Sequence, residues 1–176
     1  MTTWLIVAVA MLKAPSLATL PRLCYSGSDL SPDGLVAEAS AIVRVIALDS
    51  TRSAANNDVL RGRRVRFRVA EVLRGSDVPS EISIPGILTP HDDYNSGSVP
   101  YRDVRFSGQG GSCYAFEYRR GAEYLFLLIR ATETNIVWTG GEWTPYWANL
   151  RPTNEQIRGD DDAWLRWVRS RLALGR

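Results

Sequence analysis

The stretch GGSCYAFEYRRGAEYLFLL, residues 110–128, contains one of the two cysteines of the chain and the pattern of an aromatic-rich hairpin. The apolar run 124–129 predicts a strand, and the Arg-Gly pair at 120–121 predicts the turn that leads into it. Cys113 follows two glycines just ahead of this pattern. A bond made by this cysteine would therefore tie the hairpin to another part of the chain.

Three more strands are predicted upstream of this stretch. Residues 41–50, AIVRVIALDS, are rich in branched apolar side chains, and residues 80–86 form a short further run. In residues 63–75, RRVRFRVAEVLRG, apolar and basic residues alternate. This period of two predicts one buried face and one solvent-exposed face covered by arginines. The alternation breaks near Ala70 and Glu71, where we predict a β-bulge.

The residues downstream predict one more strand and a helix. Residues 135–140 have the pattern of a strand, whereas residues 142–159, with two prolines and three aromatics, are predicted to be irregular and packed by tryptophans. Residues 160–175 predict a helix, with acidic residues in its first turn and a glycine at its end. One face of that helix is apolar. It carries Trp164, Trp167, Val168 and Leu172.

Together these elements predict a mainly β protein. Five short strands, a long loop over 87–112 before the fourth strand and a closing helix favour a five-stranded OB-type barrel with a C-terminal α-helix. A β-sandwich is the alternative architecture. A short helix within residues 32–40, capped by Ser31 or Asp33, is expected to precede the first strand.

The composition is that of a folded domain. Of the 176 residues, 45% are hydrophobic and 23% are charged, which excludes wholesale disorder. The net charge of +2 is small, and the basic residues other than Lys13 are all arginine. Guanidinium groups suit anion recognition, but this bias alone does not select a function.

The first residues predict export. An apolar run over 3–12 followed by small residues is typical of a signal peptide, which we place at residues 1–18, with one domain over 19–176. The alternative is a buried first strand or helix. In an oxidising compartment two cysteines predict a bridge, here Cys24–Cys113, whereas free thiols in a cytosolic protein are the other possibility.

The order of these parts resembles the netrin-like and tissue-inhibitor-of-metalloproteinases group. The matching pattern is a cysteine at Cys24, the strands AIVRVIALD and VAEVLRG, a cysteine in GGSCYAFEYRRG and the strand EYLFLL, within residues 24–140. The resemblance implies an OB-type barrel, a Cys24–Cys113 disulfide and a protein-binding or inhibitory role. Inhibitors of that group carry Cys-x-Cys at their first residue, where this chain has Cys-Tyr-Ser at 24–26, so zinc chelation by the N-terminus is not expected. The extension 141–176 is instead similar to the tail of uncharacterised bacterial exported proteins.

Two surfaces are candidates for binding. A loop as long as 87–112 is usually functional or mobile, and Tyr94, Tyr101 and Phe106 offer apolar contacts to a protein partner. The arginine face of the second strand, formed by Arg64, Arg66 and Arg68, is the candidate anion-binding surface. Its alternative interpretation is a solvated face partly paired with carboxylates.

The sequence favours a binding protein over an enzyme. His91 beside two aspartates is the one place where a histidine meets carboxylates, and no nucleophile motif or phosphate-binding loop is present. We therefore expect no catalytic residue, no cofactor and no metal. The sequence predicts an exported module, secreted or periplasmic, that binds a protein or inhibits a protease. Nucleic acid is not an expected partner, and membrane contact is expected only through an uncleaved signal segment. The alternatives are an envelope protein that binds anionic polymer through its arginines, a cytosolic OB-fold nucleic-acid binder, and a hydrolase that uses His91.

Overall fold

The computed structural model describes residues 31–52, 63–109, 114–130, 143–145 and 150–175. These residues form eight strands and three helices. In chain order the elements are α1 (Pro32–Glu38), β1 (Ala41–Arg52), β2 (Arg63–Arg74), β3 (Glu81–Pro85), β4 (Ile87–Thr89), α2 (Phe106–Gln109), β5 (Glu117–Arg119), β6 (Glu123–Arg130), β7 (Trp143–Pro145), β8 (Asn154–Ile157) and α3 (Ala163–Leu174). The protein is therefore mainly β with a C-terminal helix, as the sequence predicts.

The main sheet is antiparallel and has the order β3-β2-β1-β6. Beyond β6 the next position is shared, because β8 pairs with residues 123–126 of β6 and β7 pairs with residues 128–130. Between β1 and β2 the register slips where Arg44 faces Glu71 and Val45 faces Val69, leaving Ala70 without a partner. The bulge predicted near this position is confirmed.

Strands β1 and β6 are buried on both faces of the sheet. One face carries a cluster that draws on β1, β2, β3, β5, β6 and β7, with Phe67 in edge-to-face contact with Tyr118 and Phe126, both at 4.9 Å between ring centroids. The other face packs against α1 and α3 through residues such as Leu125 and Trp164. The alternating burial predicted for β2 is confirmed, since Val65 and Phe67 are fully buried between more exposed arginines.

The two longer helices begin at side-chain caps. Ser31 is the cap of α1, where its hydroxyl accepts the N–H of Gly34 at 3.1 Å. Asp162 caps α3 by accepting the N–H groups of Trp164 and Leu165. The predicted apolar face of α3 is confirmed for its buried residues and also includes Leu165.

Three local predictions are wrong. Residues 87–112 are not wholly loop, because β4 and α2 lie within them, and residues 142–159 contain β7 and β8. The segment 117–119 does not form a hairpin with β6 but pairs in parallel with β4. The reason lies in the turn between β5 and β6. Ala47 of β1 accepts the N–H of Gly121 at 2.8 Å and donates its own N–H to the carbonyl of Ala122. The turn therefore extends the ladder between β1 and β6, and β5 pairs with β4 instead.

Other predictions fall outside the described residues. These are the signal peptide at 1–18, the strand at 135–140, and both cysteines, Cys24 and Cys113. Within the described part of the chain, no hydrogen-bonded ladder joins β3 to β7, the two ends of the sheet. The described strands therefore do not form a closed barrel, and the OB-type barrel stays a prediction.

Candidate functional site: a loop held over strand β8

Residues 92–109 lie along β8 and are bonded to it at several points. Asp93 donates its N–H to Oε1 of Gln156 at 2.8 Å, and Asn95 donates from Nδ2 to Oε2 of Glu155 at 3.0 Å. Further along, Arg105 donates from Nε to the carbonyl of Asn154 at 3.2 Å. The Arg105 bond occupies a backbone carbonyl of β8, which makes that group unavailable for pairing with another strand. We call residues 92–109 the clasp.

Arg105 is the central side chain of the clasp and is fully buried. Its Nη1 donates to Oδ2 of Asp93 at 2.6 Å and to the hydroxyl of Ser107 at 3.2 Å. Its guanidinium carbon lies 5.2 Å from the ring centroid of Tyr118 and 5.5 Å from that of Tyr124. Among the described residues, Nη2 has no hydrogen-bond acceptor, so the attraction of the ring faces for the cation replaces part of its hydration.

Asn154 extends this polar cluster into the core beside Tyr118. Its Nδ2 donates to the Tyr118 hydroxyl at 2.8 Å and to the carbonyl of Ala115. Burial raises the pKa of the Tyr118 phenol, so this hydroxyl remains protonated and donates to the Ala115 carbonyl at 3.3 Å. The same bonds therefore join β8 to the segment that enters β5.

Glu155 is the second buried ionisable group of this region. It is fully buried, its Oε1 accepts the backbone N–H of Arg105 at 3.2 Å, and its Oε2 accepts from Asn95. Burial raises the pKa of Glu155 to about 7, while the charge of Arg105 acts in the opposite direction. At neutral pH this carboxyl is consequently close to its midpoint of ionisation.

The clasp ends in α2, which carries an exposed aromatic side chain. Phe106 is 80% exposed, although the residues on either side of it are held in place. The preceding Arg105 is buried, Ser107 donates its N–H to Asp93 at 3.3 Å, and Gln109 donates from Nε2 to the Val104 carbonyl at 2.7 Å. A hydrogen-bonded segment therefore presents a phenyl ring to solvent.

The structure does not bring the three predicted partner-binding aromatics together on one exposed surface. Tyr101 is 6% exposed and packs against Trp164 with 5.2 Å between ring centroids. Tyr94 is half-buried, with the guanidinium of Arg158 4.0 Å from its ring centroid. Of the three, Phe106 alone is largely accessible.

The predicted anion-binding arginines are largely engaged by neighbours on the sheet. Arg66 contacts both carboxylate oxygens of Asp49 at 2.8 Å and Oε2 of Glu81 at 3.1 Å, and the Asp49 hydrogen bond raises the pKa of Arg66. Arg64 donates from Nε to the hydroxyl of Ser83 at 3.0 Å, and burial lowers its pKa. Arg68 is exposed.

The aspartates beside His91 also have partners. Asp92 accepts from Arg119 at 3.0 Å and from Gln156, Asp93 accepts from Arg105, and His91 itself is exposed. In the ranges that the structure describes, no three histidine, cysteine or acidic side chains are grouped to hold a metal ion.

Sequence reasoning missed Arg105 and the buried run Asn154–Gln156. A single arginine between Val104 and Phe106 was the available signal, and it is a weak one.

No protein-family model matches the chain, and no curated protein matches it at a significant level. None of the helices that the structure describes has the length and apolar character needed to cross a bilayer.

Proposed function

We propose that the protein is an exported, non-enzymatic protein-binding module that uses Phe106 as its anchor. The observation that carries this proposal is the 80% exposure of Phe106 on a segment whose neighbouring residues are buried or hydrogen-bonded. An aromatic anchor on a fixed backbone loses little conformational entropy when it binds. Aromatic residues of this kind often contribute disproportionately to the free energy of protein–protein binding.

Within the mainly β class, the architecture that we propose is an OB-type barrel. It is supported by the single cluster on the inner face of the sheet, which contains residues from both ends of the strand order. Ile82 and Ile84 come from β3 and Trp143 comes from β7, and all three are buried in that cluster. A flat sheet would keep its two ends apart, so this shared core favours a strongly curved sheet.

The sequence is the basis for the compartment and the type of partner that we propose. We propose that the protein is secreted or periplasmic and has a Cys24–Cys113 disulfide. Its proposed partner is a protein, and proteases are among the candidates. The resemblance to netrin-like proteins and metalloproteinase inhibitors supports this part of the proposal. The arginine face is the weaker candidate surface, because Arg66 is neutralised by Asp49 and Glu81.

A comparison of three variants in the full chain tests the proposal. Phe106→Ala is expected to reduce capture of a partner from an exported-protein fraction at least about 30-fold, the loss that corresponds to a 2 kcal/mol anchor. The matched control is Leu174→Ala, which removes another exposed apolar side chain, 75% accessible, from α3. The third variant, Arg64→Gln with Arg66→Gln, is also expected to retain binding.

Two outcomes would contradict the proposal. Equal capture by wild type and Phe106→Ala would remove Phe106 as the anchor. Loss of binding in the arginine variant alone, together with a steep decrease of binding with salt, would identify an anionic polymer as the ligand instead.

A further inference from the structure

Glu155 connects both ends of the clasp to β8 through one carboxyl group. Oε2 accepts from the side chain of Asn95 near the start of the clasp, and Oε1 accepts the backbone N–H of Arg105 near its end. The residue facing Glu155 across the sheet is the apolar Leu125 of β6. Because Glu155 is fully buried, water does not share these bonds. Both hydrogen bonds favour the ionised carboxylate, whereas burial away from water favours the protonated acid and is the larger effect.

The one buried cation of the region is already matched by another carboxylate. Arg105 contacts Oδ2 of Asp93 at 2.6 Å, and only its backbone N–H contacts Glu155. A protonated Glu155 leaves this buried group of charges neutral, whereas an ionised one gives it a net negative charge. The phenols of Tyr118 and Tyr124 lie beside Arg105. Tyr101 interacts electrostatically with Glu155, and Arg158 and Asp162 act on Tyr101.

We propose that Glu155 is a pH-sensitive latch, which holds the clasp on β8 when it is protonated and loosens the clasp when it ionises. A released Glu155 is hydrated and ionises at the ordinary pH of a glutamate, so the held state binds a proton that the released state does not. The raised pKa of Glu155, about 7, gives the pH range. Stabilisation of the held state is complete below about pH 4.5 and is lost as the pH rises through about 7.

Amide hydrogen exchange of the full chain between pH 5 and pH 8 tests this inference. After correction for the intrinsic exchange rate, protection of the clasp amides is expected to fall about tenfold per pH unit between pH 5 and pH 7 and to level off above that. Amides in the β1–β2 ladder are the internal reference and are expected to keep their protection.

Two variants separate the latch from other sources of pH dependence. Glu155→Gln cannot ionise, so its clasp protection is expected to be the same at pH 5 and pH 8. His91→Gln is the control, because histidine also changes charge in this range and His91 precedes the clasp by one residue. This variant is expected to retain the full pH dependence of wild type.

The latch is overturned if clasp protection in wild type is independent of pH, or if its pH dependence persists in Glu155→Gln. If Glu155→Gln does not fold, carbon NMR of the Glu155 carboxyl in wild type decides the question directly. A titration midpoint near 7 supports the latch, and a midpoint near 4.5 contradicts it. None of these measurements involves a partner, so they are independent of the role proposed for Phe106.

Discussion

Replacing Asp93 by Asn is expected to destabilise the protein strongly. The change removes the carboxylate that contacts Nη1 of Arg105 at 2.6 Å and also accepts the N–H of Ser107. Arg105 is fully buried, so at pH 5, where Glu155 is protonated, its charge is left without a counterion. Breaking a buried ion pair in this way costs about 3–5 kcal/mol of the free energy of unfolding.

Urea unfolding monitored by circular dichroism measures this cost. With a slope of about 2 kcal/mol per molar urea, a loss of that size lowers the unfolding midpoint by about 1.5–2.5 M. Asp49→Asn is the matched control, because Asp49 contacts Arg66 through two bonds of 2.8 Å but both side chains are 43% exposed. Its midpoint is expected to stay within experimental error of wild type.

Two further comparisons define what would refute the argument. Adding Arg105→Met to Asp93→Asn removes the unpaired charge and is expected to restore part of the stability. The cost of Asp93→Asn is expected to be larger at pH 5 than at pH 8, because an ionised Glu155 replaces part of the missing negative charge at the higher pH. If Asp93→Asn costs no more than Asp49→Asn, the buried ion pair does not hold the clasp.

Three other changes test separate parts of the structure. Gly108→Ala places a Cβ 2.7 Å from the backbone nitrogen of Ala115 and should cost about 1–3 kcal/mol in thermal unfolding; an unchanged melting temperature would mean that α2 is not packed there. Asp162→Ala removes the cap of α3 and should cost about 1–2 kcal/mol, whereas a cost near zero would show that the cap is dispensable. Native protein should yield no alkylated Cys24 or Cys113 before reduction, and recovery of two alkylated thiols would rule out the bridge and weaken the case for export.

The elements that sequence analysis located correctly are those whose pattern is local. Strand β2 alternates apolar and basic residues because one face meets the core, and α3 has a capping aspartate and an apolar stripe. Each of these signals lies within about a dozen residues of chain. The bulge at Ala70 was visible for the same reason, since it interrupts the alternation within its own strand.

The elements that were missed depend on distant partners. Strand β8 is the polar run Asn-Glu-Gln-Ile, and all four residues are buried. Their burial depends on bonds to distant residues such as Asp93, Asn95 and Arg105, which lie about fifty to sixty residues earlier in the chain. No local pattern predicts this strand, because its sequence is not enriched in β-branched residues and does not alternate apolar with polar residues.

The candidate site was predicted in part. The segment 87–112 was identified from the sequence as a candidate binding region, and Phe106 was one of its three candidate contact residues. The reason was that a loop rich in glycine and proline does not need apolar side chains. The sequence did not separate Phe106 from Tyr101, since both are aromatic residues in a polar loop. Contact of Tyr101 with Trp164 on α3, more than sixty residues away, is what buries the tyrosine.

Photo-crosslinking from position 106 tests the central claim most directly. A photoreactive phenylalanine analogue replaces Phe106 in one sample and Leu174 in a control, and both proteins are exposed to the exported-protein fraction. The account predicts a discrete protein adduct from position 106, none from position 174, and loss of the adduct when unlabelled wild type, but not unlabelled Phe106→Ala, is added in excess. Absence of an adduct at position 106, or an adduct that Phe106→Ala displaces as well as wild type does, would contradict it.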